Sequence, residues 1–282
     1  MNKKVVLGIV AAVIVVVIVA VSVRAGSSAD IVAGSVFITN IVNDIADGRL
    51  EPHTLIRPGD CPGHHDIKPG DVRAANNSKA LIIHNYQRNY EYIPALVESA
   101  DNPGLDIVVI DIMGNWMAPP IQAEAVNQIA QALAEIDPEN AVYYQQRAAE
   151  RTEAILEKGE QVRSRLMDMG VGGVKVVCGE MQAGFLRWAG FHIVATYGRP
   201  EDLSTATLEE VITQATAAGV TLVIDNLQSG EIPTLAADIG AVHVTLSNFP
   251  GGFRNTETWE KALDKNLDLL EEALQQMREL HG

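Results

Sequence analysis

The longest apolar stretch of the chain comes first. Met1-Asn2-Lys3-Lys4 leads into Val5–Val23, 19 residues without a charge, and about 20 helical residues cross the hydrocarbon core of a bilayer. The pattern predicts a membrane helix, with Lys3 and Lys4 kept on the cytoplasmic side and everything after Arg24 outside. A cleaved leader has a shorter apolar core, about 7–15 residues, closing on a small-x-small site. VSVRAGSSAD offers a poor one, and no cysteine follows that would carry a lipid. Residues 1–25 are therefore read as a membrane anchor or signal segment, the uncleaved anchor being preferred. Gly26-Ser27-Ser28-Ala29-Asp30 reads as a short tether.

Beyond the tether, strand and helix patterns alternate. IVAGSVFI is apolar and β-branched, a strand, and ITNIVNDIADG carries Ile38, Ile41, Val42 and Ile45 at helical spacing with Gly48 as its stop. HTLIRPGD is a short strand running into a turn, KPGDVRAANNSK a short helix, and ALIIH and LDIVVIDIM are strands. IQAEAVNQIAQALAEI is an amphipathic helix with Val126, Ile129, Leu133 and Ile136 on one face. A polar helix then runs from about Glu139 to Met169, too long for one small domain. After Gly170-Val171-Gly172-Gly173 the alternation resumes. VKVVC, HIVATYG, VTLVIDN and AVHVTL are strands; MQAGFLRWAG, Leu208–Ala218 (capped by Thr205 or Thr207), PTLAADIG and Thr256–Leu280 are helices. Strands and helices on both sides of a long helix predict two Rossmann-like α/β lobes with parallel sheets joined by that rigid helix. The expected boundaries are 26–137 for the N-terminal lobe, 138–170 for the interlobe helix and 171–282 for the C-terminal lobe.

Charge narrows the partners. The 282 residues carry 21 Lys and Arg against 36 Asp and Glu, a formal net charge of −15. Such a chain is repelled by nucleic acid and by anionic lipid headgroups. With 47% hydrophobic and 20% charged residues, the composition is globular.

In open parallel sheets ligands bind at the carboxyl ends of the strands, so those ends hold the candidate chemistry. CPGHHDIKPGD places Cys61, His64, His65 and Asp66 within six residues of a turn-rich loop, and imidazole and thiolate suit borderline metals such as zinc. A chance surface cluster is the alternative. His84 ends the strand ALIIH and points toward the expected cleft; an ordinary hydrogen-bonding histidine is the alternative. Cys178 and Glu180 follow VKVV; a carboxylate at that strand–helix junction also suits a helix N-terminus. Asp225 and Asn248 are strand-end oxygens for which turn formation is the simpler reading. His53, His192, His243 and His281 lack such companions and are read as structural. GxSxG, GxGxxG, P-loop and HExxH patterns do not occur, and no enzymatic role is expected.

The chain from its tether onward resembles the zinc- and manganese-type metal-binding proteins of ABC importers. The resemblance is strongest over VFITNIVNDIADGRLEPHTLIRPGDCPGHHDIKPGDVRAANNSKALIIHN, where His64 or His65, then Pro69-Gly70-Asp71 and AANNSKALII keep the family's order. CGEMQAGFLRWAGF resembles the segment that supplies a third ligand, which lies at or beside Glu180. The family's second histidine falls two residues before a Trp, and here that position is Gly114, before Trp116; its last carboxylate falls near Asn248, an amide. The resemblance implies an extracytoplasmic solute-binding protein. It would capture a divalent metal ion, expected to be zinc, between the lobes and deliver it to a membrane permease driven by its ATPase. No organic cofactor is expected, and the protein is expected to act as a monomer. The ligand set taken forward is His64, His65, His84, Glu180, Cys61 and Cys178. The last two lie on opposite lobes, where a disulfide would staple the cleft, so they are read as free thiols or ligands. The alternatives are a metal chelate or organic solute, with Trp116, Trp188 and Tyr86 as stacking candidates, or a surface scaffold that has lost its ligand.

Overall fold

The computed structural model describes residues 29–281. The expected anchor and most of the tether lie outside the described residues; among those described, no helix is long and apolar enough to cross a membrane.

The first lobe is a parallel sheet of β1 (Ile31–Ser35), β2 (Pro52–Ile56), β3 (Ala80–His84) and β4 (Asp106–Ile110), in the order β2-β1-β3-β4. Helices α1 (Val36–Ala46), α2 (Pro69–Asn77), α3 (Tyr92–Ser99) and α4 (Pro119–Ile136) cover it. The second lobe repeats the plan with β5 (Lys175–Gly179), β6 (His192–Tyr197), β7 (Leu222–Asn226) and β8 (Val242–Leu246), in the order β6-β5-β7-β8. Between the lobes runs α5 (Ala141–Asp168), whose 28 residues span about 42 Å. Helices α6 (Ala183–Ala189), α7 (Thr205–Ala218), α8 (Pro233–Ile239) and α9 (Trp259–His281) complete the second lobe. Central strands β1, β3 and β7 are buried along their whole length, as a sheet covered on both faces requires.

Two local expectations are corrected, and one element is added. The strand expected over 31–38 stops at Ser35, which is extended (φ −152°) and serves as the N-cap of α1. Val36, Phe37 and Ile38 are then buried in the first turn of that helix. A short apolar run packs equally well as strand or helix, so its period cannot separate the two. Helix α3 has no counterpart among the expected elements, although it carries Pro94. It sits in the first turn, where the backbone N–H it lacks has no intrahelical partner anyway. The cap of α7 is Ser204, whose Oγ accepts from the Thr207 N–H at 3.1 Å, rather than Thr205 or Thr207.

One continuous core runs from Ile31 through both sheets to Leu274, and a second, smaller cluster lies around Val177, Val211, Val223 and Leu235. The lobes are packed together at the seam, where Phe37 meets Trp116 and Phe249 edge-on at 5.8 Å each. Trp259 donates from Nε1 to the Trp116 carbonyl at 3.1 Å. Along one flank Arg151, Lys158 and Arg165, spaced seven apart on α5, pair with Glu260, Asp264, Asp268 and Glu271 of α9. Apolar contact and this ion-pair ladder join the lobes along the long helix.

Candidate metal-binding cleft

In the order 2-1-3-4 the connections leave in opposite directions from the two central strands, and a crevice opens between them at their carboxyl ends. In the first lobe these ends are Ser35 and His84, and the crevice is filled. Ser35 Oγ and His84 Nε2 are hydrogen-bonded at 2.6 Å, and the imidazole packs 4.1 Å from the Trp116 ring and 5.0 Å from Tyr86. Gln87 closes the space below, donating to the Gly34 carbonyl and accepting from the His84 N–H, both at 3.0 Å. The fit is close: a Cβ on Gly34 would fall 2.3 Å from the Gln87 Oε1 and displace that amide. Burial lowers the His84 imidazole to about 3. The side chain expected to face the cleft is thus a neutral core residue, and Trp116 is buried with it.

The loop after β2 splits the two adjacent histidines. His64 ends a short 3-10 turn, Pro62–His64, and is exposed. The next residue turns inward: His65 lies edge-on to Tyr92 at 5.2 Å, with Nε2 3.4 Å from Asp71 and no hydrogen-bond partner. Asp71 also bonds to His53 Nε2 at 2.8 Å and accepts from the Lys68 N–H at 2.8 Å. Burial works to raise this carboxyl, but the His53 and Lys68 hydrogen bonds outweigh it and hold it below its ordinary value. His53, read from sequence as having no companion, therefore has one.

In the second lobe the matching crevice keeps a small hollow of about 10 Å³, room for one water. Glu180, Met181, Tyr197, Arg199, Asn226 and Ser229 line a hollow at the carboxyl ends of β5, β6 and β7. Glu180 is exposed in a 3-10 turn directly after β5. Cys178 is fully buried within that strand, and burial pushes its thiol up to about 12. Its sulfur lies in the core rather than on the cleft surface. Behind the hollow, buried Asp225 accepts from Tyr197 Oη, from the Ile232 N–H at 2.8 Å and from His243 Nε2 at 2.5 Å. The hydrogen bond to Asp225 raises the His243 imidazole against the opposing effect of burial. His243, also read as companionless, thus braces the wall of the hollow.

The facing walls touch. Asn115 donates through Nδ2 to the Met181 carbonyl at 2.8 Å and to Asn248 Oδ1 at 2.7 Å, and Gln228 donates to the Pro58 carbonyl at 2.8 Å. Where the resemblance placed further ligands, Gly114 has no side chain to offer and Asn248 is engaged in this bridge. His64 Nε2 lies 3.9 Å from Glu201 Oε1. Of the six expected ligands, His65, His84 and Cys178 belong to the interior, while Cys61, His64 and Glu180 face the cleft region; both cysteines are free thiols. Among the described residues no three His, Cys, Asp or Glu side chains gather closely enough to hold a metal ion. Arg199 and Glu201 went unnoticed in the sequence. The strand-end rule applied to YGRPED after β6 would have found both.

Two parallel α/β lobes hinged on a long helix, with a cleft at the strand ends, define the architecture of a solute-binding protein. Three solved structures share it. The cadmium-bound and manganese-bound forms of a periplasmic metal-binding protein from Candidatus Liberibacter asiaticus each superpose with a TM-score of 0.74. They are 17% and 16% identical and cover 86% of this chain and 98% of theirs. The SBP FpvC in complex with Ni2+ from P. aeruginosa superposes at 0.71 and 17% identity, over 89% of this chain and 98% of that one. Comparison with curated proteins found no match. Residues 31–273 match the ZnuA family, described as zinc-uptake complex component A, periplasmic, and the chain belongs to that family. It is the extracytoplasmic solute-binding component of an ABC importer, a class that binds a metal ion and works with a permease and its ATPase.

Proposed function

We propose that the solute is a divalent transition-metal ion, zinc first among them, held at the rim of the cleft by His64 of the first lobe and Glu201 of the second. The observation that carries this reading is their approach to 3.9 Å across the seam, an imidazole and a carboxylate on opposite walls. These are donors that suit zinc. Cys61, at the start of the same turn, and Glu180, in the adjoining hollow, are the neighbouring donors. Capture brings the two walls together around the ion, and the loaded form is what the permease recognises. The shared core and stiff hinge restrict closure to a small adjustment rather than a wide swing. The protein acts as a monomer, tethered by its N-terminal apolar run.

Elemental analysis of the full chain, purified without a metal-affinity tag, tests the reading. About one equivalent of a single transition metal is expected, lost in both His64→Ala and Glu201→Gln. A chain that stays empty when offered zinc, manganese, iron, nickel and copper would sink it.

A further inference from the structure

We infer that Asp71 is a positioning residue for metal capture: its buried carboxylate, acting through His65, sets the turn on which His64 is presented to the cleft. The inference rests on the reading of His64 as a metal donor and names the residues that place it.

Asp71 is the third residue of α2 and only 5% exposed. A buried carboxylate is costly unless it is paired or hydrogen-bonded, and here the partners come from three segments. The Lys68 N–H donates to Oδ2 at 2.8 Å. That bond is the ordinary reach of a carboxylate in the first turn back to the start of its own helix. The other two partners are not local in this way. His53 Nε2, 2.8 Å from Oδ1, belongs to β2, and His65 Nε2, 3.4 Å from Oδ2, directly follows the Pro62–His64 turn. The carboxylate thus gathers the strand that enters the loop, the residue after the turn and the helix that leaves it.

His65 is the inward half of this arrangement. Its side chain is 3% exposed, with the ring edge-on to Tyr92 at 5.2 Å. Tyr92 is itself fixed, accepting at Oη from the Gln87 side chain at 2.9 Å. The imidazole is therefore held on its apolar side, while Nε2 lies beside Asp71, buried and without a hydrogen-bond partner. The separation of 3.4 Å exceeds a charge-assisted bond by about 0.5 Å. A loop shift of that size would complete the bond. His64 shares a peptide bond with His65, so the same shift moves the exposed imidazole. A metal ion that draws on His64 and a carboxylate that draws on His65 act on one short turn.

Zinc affinity of the full chain, measured by competition with a fluorescent chelator, tests this. His65→Phe keeps a ring beside Tyr92 but removes the nitrogen, and should weaken zinc binding about tenfold, the scale of a charge-assisted hydrogen bond. His65→Gln returns an N–H near the place of Nε2 and should restore most of the affinity. Glutamine would not restore it if His65 were itself a zinc ligand, and that outcome would overturn the inference. Asp71→Asn should cost at least as much as His65→Phe, and the double variant no more than Asp71→Asn alone, because both changes remove one interaction. Losses that multiply, or a His65→Phe chain that binds zinc like the parent, would also overturn it while leaving metal capture standing. Circular dichroism verifies folding; should Asp71→Asn fail to fold, the two His65 variants decide alone. A parent chain that retains no zinc would overturn the metal reading and this inference with it.

Discussion

Single side chains decide how much of the histidine chemistry is available. His64 and His65 are neighbours in sequence, yet one is exposed and the other packs beside Tyr92 and Asp71. The strand-end rule brought His84 to the right region, but it could not tell that the imidazole turns onto Ser35. Buried His84 and half-buried His243 have opposite pH signatures. His84 is held neutral, with its value lowered from 6.5 to about 3. Its contribution to stability is full above pH 6.5 and is lost as the pH falls toward 3, where the unfolded chain binds the proton that the folded one refuses. His243 is raised above 6.5 by Asp225, so its contribution is full below pH 6.5 and is lost as the pH rises through the raised value. Urea unfolding from pH 4 to pH 9 should therefore show a stability loss on each flank, and His243→Gln should remove the alkaline one while keeping the acid one. An unchanged alkaline flank in that variant would show that the Asp225–His243 pair contributes nothing. The hydroxyl of Tyr197 and the N–H of Ile232 still reach Asp225 in the variant.

At the scale of elements, the long helix was the most legible feature, because its polar run exceeds any single small domain. Its partner surface was not legible. Gly159 lies in mid-helix, where glycine costs about 1 kcal/mol relative to alanine. The structure gives the reason for keeping it: a Cβ there would stand 2.8 Å from the Cβ of Pro119 at the start of α4. A proline ring cannot rotate aside, and overpacking of this kind costs about 1–3 kcal/mol. The clash should win, so Gly159→Ala is expected to lower the urea unfolding free energy by about 1 kcal/mol rather than raise it. A stabilised variant would show that α4 and α5 can separate freely. The ladder from α5 to α9 is more conspicuous but energetically lighter, since exposed ion pairs are worth about 0–1 kcal/mol each.

At the scale of the molecule, the two lobes repeat one strand order but put it to different uses. The crevice of the first is plugged by His84 and Gln87, and that of the second keeps only a small hollow beside Arg199. The lobes meet through Asn115, whose amide bonds to both Met181 and Asn248 on the opposite wall. Each such bond contributes about 1 kcal/mol net, so the pair favours the closed arrangement by roughly tenfold or more. In Asn115→Ala, bound zinc should leave on the order of tenfold faster in a stopped-flow chelator assay. A release rate equal to that of the parent chain would mean that closure does not depend on this bridge.

Alternation of apolar strands with amphipathic helices, broken by one long polar helix, determined the architecture from sequence alone, since burying each pattern leaves few other arrangements. The family order of CPGHHDIKPGD and CGEMQAGFLRWAGF determined the kind of protein. What only the tertiary structure decided was direction: which of two adjacent histidines turns outward, which strand-end crevice is filled, and that Arg199 reaches the backbone of Gly63 from the opposite lobe. Periodicity reports which face of an element is buried. The rotamer of a side chain at a strand end, and its neighbour from a segment 136 residues away, are set by packing between elements that no local pattern encodes.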